Sequence, residues 1–483
     1  MAATRPARRM NVPPRAGDRS VRPSAPVWIM GVLLFAFLIA VLGGSSRFDM
    51  MQVPILLPVA CLAAGFGLIR SWDADWRALK IPLILLGAWT VWTLIQVVPL
   101  PPGLWQALPG REPMVQVAQA IGEERWHPLS MAPWRTHHAL WALSVPLAAL
   151  FLFAALRERA IGVTLQAAIA IAVASALLGV LQITLPSVDA LYLYEITNRS
   201  DPVGLFANAN HAAMLNAIML VVIAATARLA PRPHAAWWMP ALGAAYFILL
   251  VTQFINASRA GLGLTVAALL VSALIVMTSF EKRGGRRTRK GLAGLLASPQ
   301  SRVALALLVG AIALAVLFFL SDRLPGFAQL LADSPLEDLR FEIAPILQQM
   351  AWTYFPFGTG FGSFETVFYI HEPAGMLAPS YVNQAHNDLL QMVIEGGLPA
   401  LAIALGILVW LVRIAVSLWR SGIANRRVLA IAASGTVACI VLASAVDYPL
   451  RAPLFQVIAV WLLCAFATLA RQPAFTDTGD AKS

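Results

Sequence analysis

The sequence predicts an all-α polytopic membrane protein with about twelve transmembrane helices. Charged residues make up 12% of its 483 residues and hydrophobic residues 59%, with a mean hydropathy of +0.73. Soluble domains carry about 25% charged residues, so this composition excludes that class. Apolar runs of roughly 17–25 residues, each long enough to cross a bilayer, recur along the chain. We attribute the net charge of +11 to membrane topology and expect no nucleic acid partner.

The predicted spans form one transmembrane domain over residues 26–470. They lie at 27–44, 51–69, 81–99, 138–156, 161–182, 207–226, 236–255, 260–279, 303–320, 397–419, 428–446 and 453–470. Residues 1–25 are basic and proline-rich, which predicts a disordered cytoplasmic tail. Residues 471–483 form a second cytoplasmic tail, since an even number of spans places both termini on one side.

The distribution of basic residues predicts the orientation. With the N-terminus inside, the inner segments hold 26 of the 35 Lys and Arg residues, and the densest cluster is EKRGGRRTRK at 281–290. Cytoplasmic loops carry such an excess, so both termini are predicted to be cytoplasmic. This orientation places three sizeable segments outside, at 100–137, 184–206 and 321–396. Trp105, Trp126 and Trp134 in the first of them either form an interfacial aromatic belt, which we prefer, or stack on sugars.

The longest outer segment, 321–396, mixes polar and aromatic residues in an otherwise apolar chain. Ser334, Pro335 and Glu337 are typical of a helix start, and the helix is expected to run toward Trp352 with a kink at Pro345. Apolar residues recur along it at spacings of three and four, namely Leu336, Leu339, Ile343, Leu347 and Met350. We therefore expect an amphipathic helix on the membrane surface.

A glycine-rich stretch follows at 356–362. Glycines at alternate positions, including Gly358 and Gly360, let a backbone approach an anion and direct its N–H groups at it. The equal alternative is a turn that folds the loop back.

The end of the same segment contains the candidate catalytic residue. His386, Asn387 and Asp388 open a helix that is predicted to end at Gly396 and Gly397. The positive end of a helix dipole disfavours a charged imidazole, so His386 would stay neutral and able to accept a proton. The alternative is a hydrogen-bonding surface histidine.

A few arginines lie in segments predicted to be outside, where basic residues are generally scarce. Arg259 lies in a short outer turn and Arg340 on the predicted amphipathic helix, and guanidinium groups at these places suit phosphate oxygens. Arg451 lies in the last outer turn, where we prefer a structural ion pair with Asp447 to phosphate contact.

The sixth span begins with three polar side chains at the membrane boundary, those of Asn208, Asn210 and His211. Polar residues at such depth either serve function or make interhelical hydrogen bonds, and both interpretations stay open.

Five stretches in this order resemble the O-antigen ligase and polymerase family of bacterial membrane glycosyltransferases. They are GLFANANH from Gly204, Ser258-Arg259 after a span, LRFEIAPILQQMAW from Leu339, FPFGTGFGSF from Phe355 and HNDLLQMVIEGG from His386. The resemblance covers roughly residues 204–453, and its HN-x-x-L and E-x-G element is the most specific part.

The resemblance implies a helical bundle related to the GT-C class, located in the bacterial inner membrane with its active site periplasmic. It implies a donor glycan on undecaprenyl pyrophosphate, a glycan or lipid A–core acceptor, and catalysis without metal or cofactor. Arg259 and Arg340 match the arginines that hold the donor pyrophosphate, and His386 matches the residue proposed to activate the acceptor hydroxyl. We assign donor or acceptor binding to a further set: Asn208, Asn210, His211, Gly358, Gly360, Asn387, Asp388 and Arg451.

These observations predict an enzyme of O-antigen or exopolysaccharide biosynthesis, either a ligase, a polymerase or a protein-glycosylating relative. The rival classes are a transporter or flippase of lipid-linked sugars, and a scaffold for other envelope enzymes. A transporter would be expected to bury charges within its spans, and these spans are almost free of them. The enzyme prediction requires that Arg259, Arg340 and His386 converge in one shielded cavity.

Overall fold

The computed structural model describes residues 25–122, 125–199, 201–229, 235–256, 258–278, 299–320, 335–376 and 382–472. These residues are almost entirely helical, which confirms the all-α prediction. The strands in this part of the chain are Pro99–Leu100 and His127–Pro128, which pair antiparallel and close a loop within the first segment predicted to be outside.

The helices follow in chain order and are numbered here. They are α1 (Ala25–Leu42), α2 (Val53–Arg70), α3 (Lys80–Gln96), α4 (Pro102–Trp105), α5 (Glu112–Ala120), α6 (Pro133–Ala142), α7 (Ser144–Leu156), α8 (Ala160–Thr184), α9 (Ala209–Leu229), α10 (Ala235–Ile255), α11 (Arg259–Met277), α12 (Pro299–Leu320), α13 (Pro335–Tyr354), α14 (Phe364–His371), α15 (Asp388–Arg420), α16 (Ala424–Val446) and α17 (Pro453–Arg471). Short 3₁₀ turns lie at Arg157–Arg159, Asp189–Leu191, Ala374–Met376 and Pro449–Arg451.

Within the described ranges, eight helical stretches are long and apolar enough to cross a membrane. They are Val53–Arg70, Pro133–Thr184, Ala209–Leu229, Trp237–Ile255, Arg259–Met277, Asp388–Arg420, Ala424–Val446 and Pro453–Arg471. The stretch Pro133–Thr184 contains two of the predicted spans, and three shorter apolar helices, Val27–Leu42, Lys80–Gln96 and Arg302–Val316, coincide with the others. A polytopic helical membrane protein is therefore confirmed, while the count of twelve spans stays a prediction.

Helix α9 forms the centre of the bundle. Its side chains from His211 to Ile223 are buried, and it packs against α8, α10, α11 and α16. Polar groups on this helix are paired with its neighbours: Asn216 Nδ2 donates to Thr252 Oγ1 at 3.2 Å, and Gln253 Nε2 donates to the Ala213 carbonyl at 3.0 Å. Such interhelical hydrogen bonds fix helix register where water is absent.

The connections separate into two groups at opposite ends of the bundle. At one end, Ala207 N–H donates to the Gly44 carbonyl at 3.1 Å and Leu454 N–H to the Gly43 carbonyl at 2.8 Å. These contacts join the connections predicted to be outside, and we call this the site end. At the far end, Arg157 pairs with Asp73 at 4.0 Å, joining connections predicted to be inside.

The predicted amphipathic helix is present as α13, with Pro345 inside it. Its apolar residues Ile343, Leu347 and Met350 are buried against α14 and the start of α15. The expectation that this face lies on the membrane surface is therefore wrong for residues 343–350, because protein covers it. Packing against the protein removes this apolar surface from water, which is favourable.

The glycine-rich stretch forms a turn that docks on a kink in α15. Gly397 has φ 60° and ψ −152° and interrupts the helix, as predicted from the paired glycines. Gly358 N–H donates to the Tyr354 carbonyl at 2.8 Å, and Gly360 N–H donates to the Glu395 carbonyl at 2.9 Å. Of the two alternatives for Gly358 and Gly360, the structure supports the turn, since their N–H groups are engaged within the protein.

Candidate functional site

His386 lies at the site end, immediately before α15. It has a left-handed backbone with φ 49°, and its side chain is buried. Asn387 caps the helix, because its Oδ1 accepts a hydrogen bond from Leu390 N–H at 2.9 Å. The helix therefore begins at Asp388, and the ring of His386 leaves the chain just ahead of the helix N-terminus.

Asp447 faces the ring of His386 from the end of α16. Its Oδ1 lies 3.5 Å from His386 Nδ1, and the carboxylate is fully buried. That separation is longer than a charge-assisted hydrogen bond, which spans about 2.7–2.9 Å, and catalytic contacts often tighten when substrate binds. The structure thus places a buried carboxylate opposite one ring nitrogen of His386.

Neighbouring groups hold Asp447 in place. Its Oδ2 accepts from Asn210 Nδ2 at 2.8 Å, and its Oδ1 accepts from the backbone N–H of Tyr448 at 3.0 Å. The Tyr448 ring stands edge to face between His386, at 4.8 Å, and His211, at 5.0 Å between centroids. Sequence reasoning selected Asn210 and His211 but missed the roles of Asp447 and Tyr448, although DYP in the last outer turn contains both.

The three polar residues that open α9 therefore have different surroundings. Asn208 Oδ1 accepts from Asn210 N–H at 2.8 Å, which is a local turn at the start of the helix. Asn210 reaches Asp447, while His211 is buried with its Nε2 3.9 Å from Asp447 Oδ1. Asn210 and His211 thus belong to the surroundings of the His386 ring.

Arg451 does not pair with Asp447, so the preferred sequence interpretation was wrong. Its Nε lies 3.1 Å from Asp388 Oδ1 and its Nη2 3.0 Å from Glu395 Oε2. Leu450 N–H also donates to Asp388 Oδ2 at 3.2 Å. The 3₁₀ turn directs the guanidinium toward α15, where Asp388 and Glu395 lie on one helical face, two turns apart, and pair with it.

Arg259 is the first residue of α11 and lies at the same end of the bundle. Ser258 caps this helix through a hydrogen bond to Oγ from Gly261 N–H at 3.0 Å. A side chain at Gly261 would collide with Ala213 of α9, so α11 starts in close contact with the start of α9. The backbone of Arg340 lies in the second turn of α13, and its side chain is outside the described residues. Convergence of both arginines on His386 stays a prediction.

A cavity of about 310 Å³ opens beside the His386 segment. Its walls come from the α1–α2 connection, α3, α6, the start of α14, the start of α15 and the turn before α17. The described arginines in its walls are Arg47, Arg135 and Arg451, and neither Arg259 nor His386 is among the described wall residues. Arg259 and His386 therefore do not meet in this cavity, and a separate cavity shared by the two stays a prediction.

A buried arginine outside the cavity connects the segment 100–137, which is predicted to be outside, to the glycine turn. Arg111 Nη2 donates to the carbonyls of Leu129, at 2.7 Å, and Gly358, at 3.0 Å. Burial lowers the pKa of Arg111 to about 10, so it remains a cation at neutral pH. Burial also raises the pKa of the nearby Tyr354 to about 12 and keeps that hydroxyl protonated.

In the described part of the chain, no group of three or more His, Cys, Asp or Glu side chains is arranged to hold a metal ion. What the site end offers chemically is a buried imidazole with a carboxylate behind it, together with a guanidinium at a helix N-terminus. Such a set can accept a proton and hold an anion.

Comparison with known proteins finds a family model that matches part of this chain. Residues 244–405 match the family model described as O-antigen ligase, which confirms the resemblance over about a third of the chain. The matched segment runs from α10 into α15 and contains Arg259, Arg340 and His386. None of the curated proteins matches the chain.

Proposed function

We propose that this chain, whose residues 244–405 match the O-antigen ligase family, is a membrane glycosyltransferase acting on glycans linked to undecaprenyl pyrophosphate. It attaches the glycan to an acceptor sugar, or extends it, at the periplasmic face of the bacterial inner membrane. The observation that carries the proposal is the buried pair of His386 and Asp447, which joins a ring from the matched segment to a carboxylate from the last loop.

In the proposed reaction, the acceptor hydroxyl attacks the anomeric carbon of the donor sugar while the bond from that carbon to the phosphate oxygen breaks. The hydroxyl proton moves to Nε2 of His386, and the electron pair of the broken bond leaves on the lipid-linked pyrophosphate. Asp447 faces Nδ1 and balances the positive charge that the ring acquires. The proposed reaction, like that implied by the resemblance, takes no metal or cofactor.

Arg259 and Arg340 are proposed to hold the pyrophosphate as negative charge builds on its oxygens. Arg259 is half-buried and starts α11, so its guanidinium and the helix N-terminus both favour an anion there. Loss of one such donor costs on the order of 10²–10³ in rate. Arg199 provides a matched control, because it is an exposed outer-segment arginine paired with Asp189.

The test is release of undecaprenyl pyrophosphate by the purified protein in nanodiscs, supplied with lipid-linked glycan and acceptor. His386→Asn suits the left-handed backbone and cannot act as a base, so transfer should fall by about 10²–10⁴. Arg259→Ala should lower the rate of transfer by a comparable factor. Arg199→Ala and His137→Ala, the second at an exposed residue, should transfer at the wild-type rate.

Wild-type transfer by His386→Asn at normal yield would make the base assignment wrong. Passage of lipid-linked glycan across the bilayer without pyrophosphate release would instead favour the transporter or flippase. Products of a deletion strain then separate a ligase, whose loss leaves bare lipid A–core, from a polymerase, whose loss leaves truncated chains.

A further inference from the structure

The cavity beside His386 has walls in which each described arginine is paired with a carboxylate. Arg47 pairs with Asp49 at 2.7 Å, Arg135 with Glu365 at 2.7 Å, and Arg451 with Asp388 and Glu395 at 3.0–3.1 Å. Among the described wall residues, these three arginines therefore face four carboxylates. A pyrophosphate carries several negative charges and needs unpaired cations, so these walls do not suit it.

Aromatic rings line the same cavity as the charged pairs. Trp89 and Phe361 stack with centroids 4.7 Å apart, and the guanidinium of Arg135 lies 3.3 Å from the centroid of the Phe48 ring. Aromatic faces provide flat apolar surface for C–H groups. Three of these rings line the cavity: Phe48, Trp89 and Phe361.

Neutral hydrogen-bonding groups complete the walls. Asn383, Gln384 and Gln456 line the cavity, and each amide side chain carries both donors and acceptors. A ligand that matches apolar faces, amides and paired charges is uncharged, bears several hydroxyl groups and has flat C–H surfaces. The volume of about 310 Å³ falls at the lower end of the range for small-molecule sites.

We propose that this cavity binds one or two neutral sugar residues of a glycan substrate, and that the pyrophosphate binds elsewhere. The proposal rests on the function proposed above. Gln384 and Asp388 both line the cavity, and each is two residues from His386 in the chain, so the cavity adjoins the segment that contains the proposed base. The glycan is that of either the donor or the acceptor, and kinetics distinguish the two.

Two variants test the cavity without removing any charged pair. Ala142→Phe fills it from α6, and Trp89→Leu removes a ring that a sugar would contact. Ala120→Phe is the matched control, because Ala120 is exposed on α5 and is not part of the wall. The assay measures KM for donor and acceptor separately, together with inhibition by undecaprenyl pyrophosphate, which has the anion but no sugar.

We expect Ala142→Phe to raise one of the two KM values by roughly tenfold or more, and Trp89→Leu to raise the same KM by about 3–10-fold. Inhibition by undecaprenyl pyrophosphate should be unchanged. The KM that rises identifies the donor glycan or the acceptor glycan as the occupant. Weaker inhibition by undecaprenyl pyrophosphate, unchanged KM values, or a fall in kcat alone would each overturn the proposal.

A binding experiment separates failure of this proposal from failure of the proposed function. Saturation-transfer NMR of nanodisc-embedded protein uses a panel of neutral di- and trisaccharides of hexose, N-acetylhexosamine and deoxyhexose. The proposal is supported if the wild type shows a saturation-transfer signal for a panel member, and if that signal is lost in Ala142→Phe and kept in Ala120→Phe. This result would support sugar binding in the cavity even if the protein showed no glycosyl transfer. No transfer to any member, or equal transfer in Ala142→Phe, overturns the proposal.

Discussion

Replacing Asp447 by Asn should slow the proposed reaction while leaving the fold intact. The carboxylate lies 3.5 Å from His386 Nδ1, and at an effective dielectric constant of about 20 this distance corresponds to roughly 4–5 kcal/mol with a protonated ring. In the variant, nearby dipoles replace part of that interaction energy, so we expect the transition state to lose about 3–4 kcal/mol of stabilisation. The corresponding fall in kcat is about 10²–10³-fold, with little change in KM.

The fold should survive this change because the hydrogen bonds of the site can adapt. In the Asp447→Asn variant, the carbonyl oxygen of the new amide can accept from Tyr448 N–H. Asn210 can turn its own amide so that its oxygen accepts from the new NH₂ group. Thermal unfolding of the purified variant in nanodiscs should therefore stay close to that of the wild type.

A double-mutant cycle shows whether Asp447 acts through His386. If it does, Asp447→Asn should lower transfer by less than about threefold in the His386→Asn background, because the ring on which it acts is absent. Wild-type kcat in Asp447→Asn, or the full 10²–10³-fold loss in both backgrounds, would refute this account of the pair.

Three further changes probe the fold around the site. Arg451→Met leaves two buried carboxylates unpaired and should destabilise the protein by about 3–5 kcal/mol, measured as lost thermal stability; unchanged unfolding would contradict a buried ion pair. Gly397→Ala places a side chain against the Pro356 carbonyl at a residue whose φ is 60°. It should lower the yield, and it should lower the free energy of unfolding by on the order of 1 kcal/mol or more, as backbone strain does elsewhere. Gly375→Ala is the control and should be neutral, because a side chain there meets open space. Burial lowers the pKa of His371, so stability is present above about pH 6.5 and is lost as pH falls below it; His371→Gln should flatten this acid loss, and equal loss in both proteins would contradict it.

Several features of the helices could be predicted from the sequence because they depend on local pattern, whereas the short helices α4, α5 and α14 were not predicted. The start of α13 at Pro335, the interruption at Gly397 and the opening of α15 after His386 all follow from residues adjacent in the chain. Apolar length alone predicted the spans, since a bilayer imposes a similar length on each of them, and eight helical stretches of the described residues meet that length.

The pairings of the site could not be predicted, because they join residues far apart in sequence. Arg451 lies four residues from Asp447, which made that ion pair the natural expectation, yet the 3₁₀ turn directs its side chain to Asp388 and Glu395 on α15. Asp447 instead faces the ring of His386 and accepts a hydrogen bond from Asn210. Which acid each cation meets depends on how helices pack, and no local pattern contains that information.

The cavity escaped prediction for the same reason. Arg47, Arg135 and Glu365 come from three separate parts of the chain, and none of them belongs to a motif. The α1–α2 connection reaches α6 through Phe48, which packs on Arg135. Sequence reasoning placed arginines outside but could not tell which of them meet a carboxylate.

A structure of the nanodisc-embedded protein with lipid-linked glycan bound tests the central claim most directly. The account predicts the pyrophosphate beside Arg259 and Arg340, the first sugar next to His386, and a ring nitrogen of His386 about 3–3.5 Å from the attacking acceptor oxygen. Pyrophosphate among the paired arginines of the cavity, with the His386 ring remote from the anomeric carbon, would contradict it.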